Sequence, residues 1–420
     1  MTKYDFFKRI FSGKKTNRSG ERQEPKPRRL IAESLEDRSL LSVTAADFTA
    51  IHDPDLELKL SDVVGSASAA PLETLSWTPD GSVGCPGCAE HAFEFGDVEE
   101  YPAFKDTIDG LLTSAGQNLD SLSEDFIFSL SSCPESTYTI YLDFNGSSYT
   151  GSYWNSGNTV VTPPYDVDSD TTTFSNAELR NMYEIWYRVS EDYMPFHVNV
   201  TTLEPTLEQL MKDGSDDVSY GIRVAIGGDN SWYSSGAGGV AYVGSFHWTS
   251  DTPCYIFAKN VAAPKSTAAA ITHEVGHSLG LSHDGTSEVE YYNGANGWAP
   301  HMGSGYYGDI TQWSKGEYED ANNQEDDLEI IATQNGFSYR ADDHGDDLAS
   351  ATALSFTASG VLGAGIIERN TDVDYFSFNL NGENAIIKVG GLKNVTNLDV
   401  KATIYNQSGT SVGVCREDFR

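Results

Sequence analysis

One segment restricts this chain more than any other: His273-Glu274-Val275-Gly276-His277-Ser278-Leu279-Gly280-Leu281-Ser282-His283. On a helix His273 and His277 lie one turn apart, so both imidazoles leave the same face and can share one ion. Glu274 falls about 100° round the axis, close to that ion without ligating it. Gly280 allows a left-handed turn that a side chain would oppose, and His283 then arrives as a third nitrogen. Three protein ligands with one open position is the arrangement of a catalytic zinc, whereas a structural zinc fills all four. In a chain of this composition the full pattern should arise by chance about 2 × 10⁻⁵ times. Three incidental histidines on an ordinary helix are therefore a poor account of it.

The surroundings suit a folded, exported protein. The 420 residues are 39% hydrophobic and 11% aromatic, enough for a substantial core. No run approaches about 18 apolar residues, so no transmembrane segment is expected. Charge is uneven. Residues 1–42 hold 11 Lys/Arg against 6 Asp/Glu, a net of +5, and the remaining 378 hold 16 against 56, a net of −40. So acidic a body repels phosphate, and no nucleic-acid partner is expected. The basic head lacks the roughly 7–15-residue apolar stretch of a standard signal peptide. It ends in Glu33-Ser34-Leu35-Glu36-Asp37-Arg38-Ser39-Leu40-Leu41-Ser42. This resembles the LEPR-XLL segment of exported planctomycete proteins, with Asp37 in place of the proline. The resemblance implies an extracellular or cell-surface location.

The patterning divides the chain into a targeting segment (1–42), a weakly patterned pro-region or linker (43–135), a catalytic domain (136–340) and a C-terminal β domain (341–420). Strands are expected at Tyr138–Phe144, Phe196–Thr201, Ile222–Ile226, Gly239–Phe246 and Tyr255–Ala258. Ser175 or Asn176 can cap a helix whose apolar positions run from Leu179 to Tyr193 at three- and four-residue spacing, with Pro195 ending it. A second helix is expected over Thr267–Leu279, and a third from Asn322 or Asn323 to Gly336. Together these predict an α+β domain, a mixed twisted sheet with long helices. Beyond the polar hinge Asp342-Asp343-His344-Gly345-Asp346-Asp347, short alternating runs separated by Gly/Asn turns predict a small all-β sandwich. Within it Asp372-Val373-Asp374-Tyr375-Phe376-Ser377-Phe378 resembles the bacterial pre-peptidase C-terminal domain, and the sandwich is expected to be incomplete at Arg420.

The long histidine motif resembles that of the metzincin metalloproteases, and the arrangement over Tyr138–Phe337 resembles secreted bacterial matrixin-like peptidases. Metzincins carry a methionine turn below the metal. Met302, nineteen residues past His283 in Ala299-Pro300-His301-Met302-Gly303, is the matching candidate. Asp284 after the third histidine is similar to the adamalysin branch. So is Gly239-Val240-Ala241-Tyr242-Val243-Gly244-Ser245, whose Gly239, Ala241 and Val243 would form a substrate-binding edge strand that holds an extended peptide. Tyr306 or Tyr307 resembles the metal-side tyrosine of astacins and serralysins, at a different spacing. The resemblance implies a zincin-like fold and a secreted zinc endopeptidase acting on proteins or peptides. His273, His277 and His283 would be the zinc ligands and Glu274 the general base and acid. Two rivals remain: a surface adhesion or carbohydrate-binding protein on the same scaffold, and a zinc hydrolase of a non-peptide bond.

Weaker signals stay open. Asp166, Asp168 and Asp170 alternate as in oxygen-rich calcium loops, although Thr171 and Ala177 break the EF-hand pattern. The hinge acids and the pair Asp372/Asp374 share that reading. Cys85-Pro86-Gly87-Cys88 with His91 reads as a local disulfide, a partial second metal site, or a pro-region latch on the catalytic zinc, which would resemble the cysteine switch of matrix metalloproteases. Five cysteines leave at least one unpaired within a monomer.

Overall fold

The computed structural model describes residues 107–151, 153–233, 237–354, 363–379, 395, 397 and 401–416, with the short strands Thr49–Ile51, Ser76–Trp77, Val83–Gly84 and Ile386–Lys388. The basic head 1–42 and the Cys85/Cys88 pair lie outside the described residues.

The centre is a five-stranded mixed sheet. Its strands are β1 (Thr139–Asp143), β4 (Asn199–Thr201), β5 (Gly221–Ile226), β6 (Gly239–Val240) and β7 (Cys254–Ile256), in the order β4-β1-β5-β7-β6. Two further short strands, β2 (Ser147–Tyr149) and β3 (Val160–Thr162), pair with each other beside it. The first four sheet strands run parallel, and β6 lies antiparallel to β7 at the edge. Every residue of β1, β5 and β7 is buried. Parallel strands covered on both faces read as continuous apolar runs rather than alternating ones, which is the character of this set.

Two helices cover the sheet. α3 (Asn176–Asp192) starts in a capping box: Ser175 Oγ accepts from Glu178 N, and the Glu178 carboxylate accepts from Ser175 N. α5 (Pro264–Ser278) has Pro264 in its first turn, where a missing N–H costs nothing. Both helices contribute to one core with Ile140, Val224, Ile256, Ile185, Val189, Ile271 and Val275. That core begins before residue 136. α1 (Ile108–Ser114) and α2 (Glu124–Ile127) supply Ile108, Leu112 and Ile127, and Leu122 and Leu130 join them.

The expected third helix is shorter than its pattern. α6 spans Asp327–Gln334, capped by Asp326. The residues ahead of it are taken by tertiary bonds: Asn323 Nδ2 donates to Asp284 Oδ1, and a Glu325 carboxylate oxygen accepts from Ser282 N. After the core, β10 (Thr352–Ala353) pairs parallel with β11 (Phe376–Ser377), and β12 (Lys401–Tyr405) pairs antiparallel with β13 (Ser411–Arg416). Among the described residues this stretch presents strand pairs, and the two facing sheets of a sandwich are not seen among them.

Arg223 interrupts the apolar run of β5. Its guanidinium is 2.9 Å from Asp143 Oδ2 and 3.4 Å from Asp251 Oδ2, and it stacks over the rings of Tyr141 and Tyr149. Burial pushes both carboxyls up, and the Arg223 charge opposes it. Replacing Arg223 with Met should strand two buried carboxylates and cost about 3–5 kcal/mol. Urea unfolding checks this: the midpoint should fall with an unchanged slope.

Candidate metal and catalytic site

The site is built on the last two turns of α5 and the chain that doubles back from it. The helix stops as its sequence predicts. Gly280 adopts φ +105°, Leu281 N donates to Gly276 O and Gly280 N to His277 O. Asn335 Nδ2, reaching over from the end of α6, donates to Leu279 O at 3.0 Å.

This turn brings His283 back against His273 and His277. One ring nitrogen from each lies within 4.8 Å of the others. The opposite nitrogens are tied outward: His273 Nδ1 lies 2.9 Å from His301 O, His277 Nδ1 2.9 Å from Leu281 O, and His283 Nδ1 3.0 Å from Glu290 Oε1. A carbonyl or carboxylate oxygen only accepts, so each Nδ1 carries the proton and each Nε2 keeps its lone pair. His277 Nε2 and His283 Nε2 then face each other at 2.9 Å with no proton between them. A cation resolves that clash of lone pairs. Burial also keeps the rings neutral. It drives His273 well below the ordinary histidine range, takes His277 down to about 4, and lowers His283 against the pull of Glu290. The three residues therefore fit a metal of the kind that takes neutral imidazole.

Glu274 points from the same helix toward the sheet edge. Its carboxyl is buried, which pushes it up to about 8, while the N–H of Ala241 donates to it and pulls the other way. Gly239 makes room for it: a Cβ there would stand 2.6 Å from Glu274 Cγ and 3.0 Å from Ile256 Cδ1. Of the expected edge strand only Gly239 and Val240 pair with β7. Ala241 and Val243 lie in the turn that follows, which closes when Gly244, at φ +73°, donates its N–H to His277 O. The strand expected over Gly239–Phe246 is shortened because the chain is diverted here onto α5.

Met302 is fully buried against the same helix. Gly276 admits it, since a Cβ at 276 would meet Met302 Sδ at 2.5 Å. The third-histidine loop is pinned to it by Asp284 N donating to Met302 O at 2.9 Å. The side chain of Asp284 is buried and pushed up to about 7. Tyr306 lies near the edge strand, its hydroxyl 2.7 Å from where a Gly238 Cβ would be, and Glu274 faces it.

Sequence reasoning missed Glu290 and Tyr291. The Tyr291 ring centroid lies 4.3 Å from that of His283 and 6.0 Å from that of His273. Neither residue stands at a spacing that ties it to the motif, so no local signal points to them. In the acidic loop, Asp166 and Asp168 come together with Glu178 rather than with Asp170. Asp170 accepts from Thr172 and Thr173, and Glu178 from Val167 N and Ser175, so that loop is held by its own hydrogen bonds. Cys133 and Cys254 are free and buried.

A family model, metallo-peptidase family M12B, reprolysin-like, matches residues 166–284. The match supports a metzincin-like metalloprotease, a kind of peptidase that implies zinc and protein or peptide substrates. No curated protein and no solved structure matches the chain. Among the described residues no helix is long and apolar enough to cross a membrane.

The Glu290 contact generates a prediction. Glu290→Ala frees His283 Nδ1 and should weaken zinc binding about 10–100-fold, the usual effect of losing a partner behind a ligand. Competition against a chelator of known affinity measures it.

Proposed function

We propose that this protein is a secreted zinc endopeptidase in which His273, His277 and His283 hold the metal and Glu274 transfers the proton. One observation carries the reading: three neutral imidazoles with their Nε2 lone pairs turned inward, on the same helix as a buried carboxyl that faces a sheet edge.

Zinc, when bound, supplies Lewis acidity that polarises a scissile carbonyl and makes water a better nucleophile near neutral pH. The remaining work falls to the chain. Among the described residues no strand pairs with the outer edge of β6, which offers main-chain groups to an extended peptide. A peptide laid there passes beside Glu274. The Glu274 carboxylate takes a proton from the attacking water and returns it to the leaving nitrogen. The apolar enclosure raises the affinity of Glu274 for a proton, which suits a group that must take one up and pass it on. The Ala241 N–H fixes the carboxylate in place, and Gly239 leaves the space in which it sits. Tyr291 lies beside the His283 ring and Tyr306 near Glu274.

The other parts of the reading rest on sequence resemblance: export through the basic head 1–42, a cell-surface location, latency imposed by the region 43–135 through Cys85 or Cys88, and a β-sandwich over 341–420. Calcium as a second metal belongs to the same set.

Two variants of the full chain test the assignment with casein as substrate. Glu274→Ala should lower turnover by about 10²–10⁴-fold with zinc content unchanged. Retained turnover would remove Glu274 from the chemistry. Gly239→Ala pushes Glu274 aside without touching a zinc ligand, and a displacement of that size should cost about 10²-fold in kcat. Zinc content by atomic absorption and kcat from peptide release separate metal loss from misplacement of the base.

A further inference from the structure

A second set of ligand-type side chains gathers outside the histidine site, where the chain enters the core. Cys133, Glu135 and His197 present a sulfur, a carboxylate oxygen and a ring nitrogen that all lie within 4.8 Å of one another. Cys133 is buried, His197 half-buried and Glu135 exposed. Their backbone is fixed from several directions. Asn199 Oδ1 accepts from Ser131 Oγ, Ser132 N and Cys133 N, while Ser136 N donates to Cys133 O. His197 N donates to Ser338 O, and His197 O accepts from Ser136 Oγ. Arg340 closes the group, with Nη2 donating to Ser132 O and Nε to Phe196 O.

None of these bonds engages the His197 ring, which makes no hydrogen bond among the described residues. The other two members are joined by a proton, since Cys133 Sγ donates to Glu135 Oε1 at 3.0 Å. Burial and that bond push the thiol up to about 12, and the Arg340 charge pulls it the other way, toward the thiolate. Without an ion, the thiol therefore keeps its proton beside an unengaged imidazole. A divalent cation takes the place of that proton, which leaves to solvent, and sulfur, carboxylate and ring nitrogen turn to the ion.

The donor set decides which ion fits. Calcium and magnesium take oxygen ligands, and here one carboxylate stands with a sulfur and a nitrogen. Thiolate, imidazole and carboxylate are the three ligand types of zinc, which gathers four ligands at about 2.0–2.3 Å. We propose that Cys133, Glu135 and His197 bind a zinc ion of their own, with water as the fourth ligand, fastening the chain that enters the core to the loop ahead of β4. The surroundings give the fastening its purpose. α1 and α2 lie just upstream of Cys133 and reach the core through Ile108, Leu112 and Ile127. The chain leaving the core passes the same place, where Tyr339 stacks on Phe196 and Arg340 N donates to Pro195 O. The ion thus secures α1 and α2 at the point where the chain both enters and leaves the core.

The experiment uses the full chain with Cys85→Ser/Cys88→Ser, stripped with a chelator and titrated with cobalt chloride alone, a coloured substitute for zinc. Cobalt on a thiolate gives a near-ultraviolet charge-transfer band that cobalt on three imidazoles lacks. The band therefore reports this site whether or not His273, His277 and His283 hold metal. It should saturate with one equivalent, and zinc chloride should erase it by displacement. Cys133→Ser should abolish the band and remove that equivalent. His197→Gln and Glu135→Gln, the latter at an exposed position, should keep the far-ultraviolet circular dichroism of the parent. Each should weaken the titration at least about 10-fold, the lower end of what losing a partner behind a ligand costs. Thermal unfolding gives a second readout: zinc should raise the melting temperature of the parent more than that of Cys133→Ser. A parent without the band, or a band that survives Cys133→Ser, would overturn the proposal. So would titrations unchanged by both His197→Gln and Glu135→Gln, since the thiol would then be taking cobalt without the cluster.

Discussion

The carboxylate of Asp192 is the junction on which the centre of this molecule depends. It stands at the C-terminal end of α3 and is almost completely buried. Oδ2 accepts from Thr272 Oγ1, Oδ1 accepts from Asn397 Nδ2, and His301 Nε2 lies 3.4 Å away, while the backbone carbonyl accepts from Trp313 Nε1. Thr272 immediately precedes the first motif histidine, and His301 immediately precedes Met302. One side chain therefore locates both the helix that carries His273 and His277 and the turn that packs against it. His301 does double duty, since its carbonyl orients His273 while its ring contacts Asp192. Burial raises the Asp192 carboxyl and lowers His301; their mutual attraction and the Thr272 and Asn397 hydrogen bonds oppose the rise. Fully satisfied networks of this kind specify one arrangement, and they fail together when one member is removed.

How much of this was legible in the sequence follows from how local each feature is. The histidine motif, its glycine turn and a helix cap at Ser175 or Asn176 are set by spacing along a few turns of chain; the turn forms at Gly280, and of the two cap candidates Ser175 is the one used. The strands of the central sheet were likewise visible as apolar runs. The short edge strand was not, because the chain leaves β7 after Val240 to bond with His277 O, a contact between residues far apart in sequence. Glu290, Tyr291 and Asp192 were invisible for the same reason. The helix expected from Asn322 or Asn323 shows the converse: good local signals lost to Asp284 and Ser282, which claim Asn323 and Glu325 from elsewhere in the fold.

Three glutamates show how little the residue type says without its setting. Glu178 is buried yet fully supplied with backbone and hydroxyl donors, so it closes a helix end. Glu274 has one backbone donor and an apolar enclosure, so it holds a proton tightly. Glu368 is buried beside Asp372, and burial with that hydrogen-bonded neighbour pushes it up to about 8, so it keeps its proton near neutral pH. One residue type thus takes three electrostatic settings, fixed by local donors and neighbours that composition cannot reveal.

The fit of Gly276 against Met302 has a consequence for descent. Where a Cβ on the helix would stand 2.5 Å from the sulfur, the two positions share one fixed volume. Neither can grow without the other shrinking. Relatives of this chain should therefore change positions 276 and 302 as a pair or not at all, and a lineage that once acquired a larger residue at 276 could return only by first giving up the methionine.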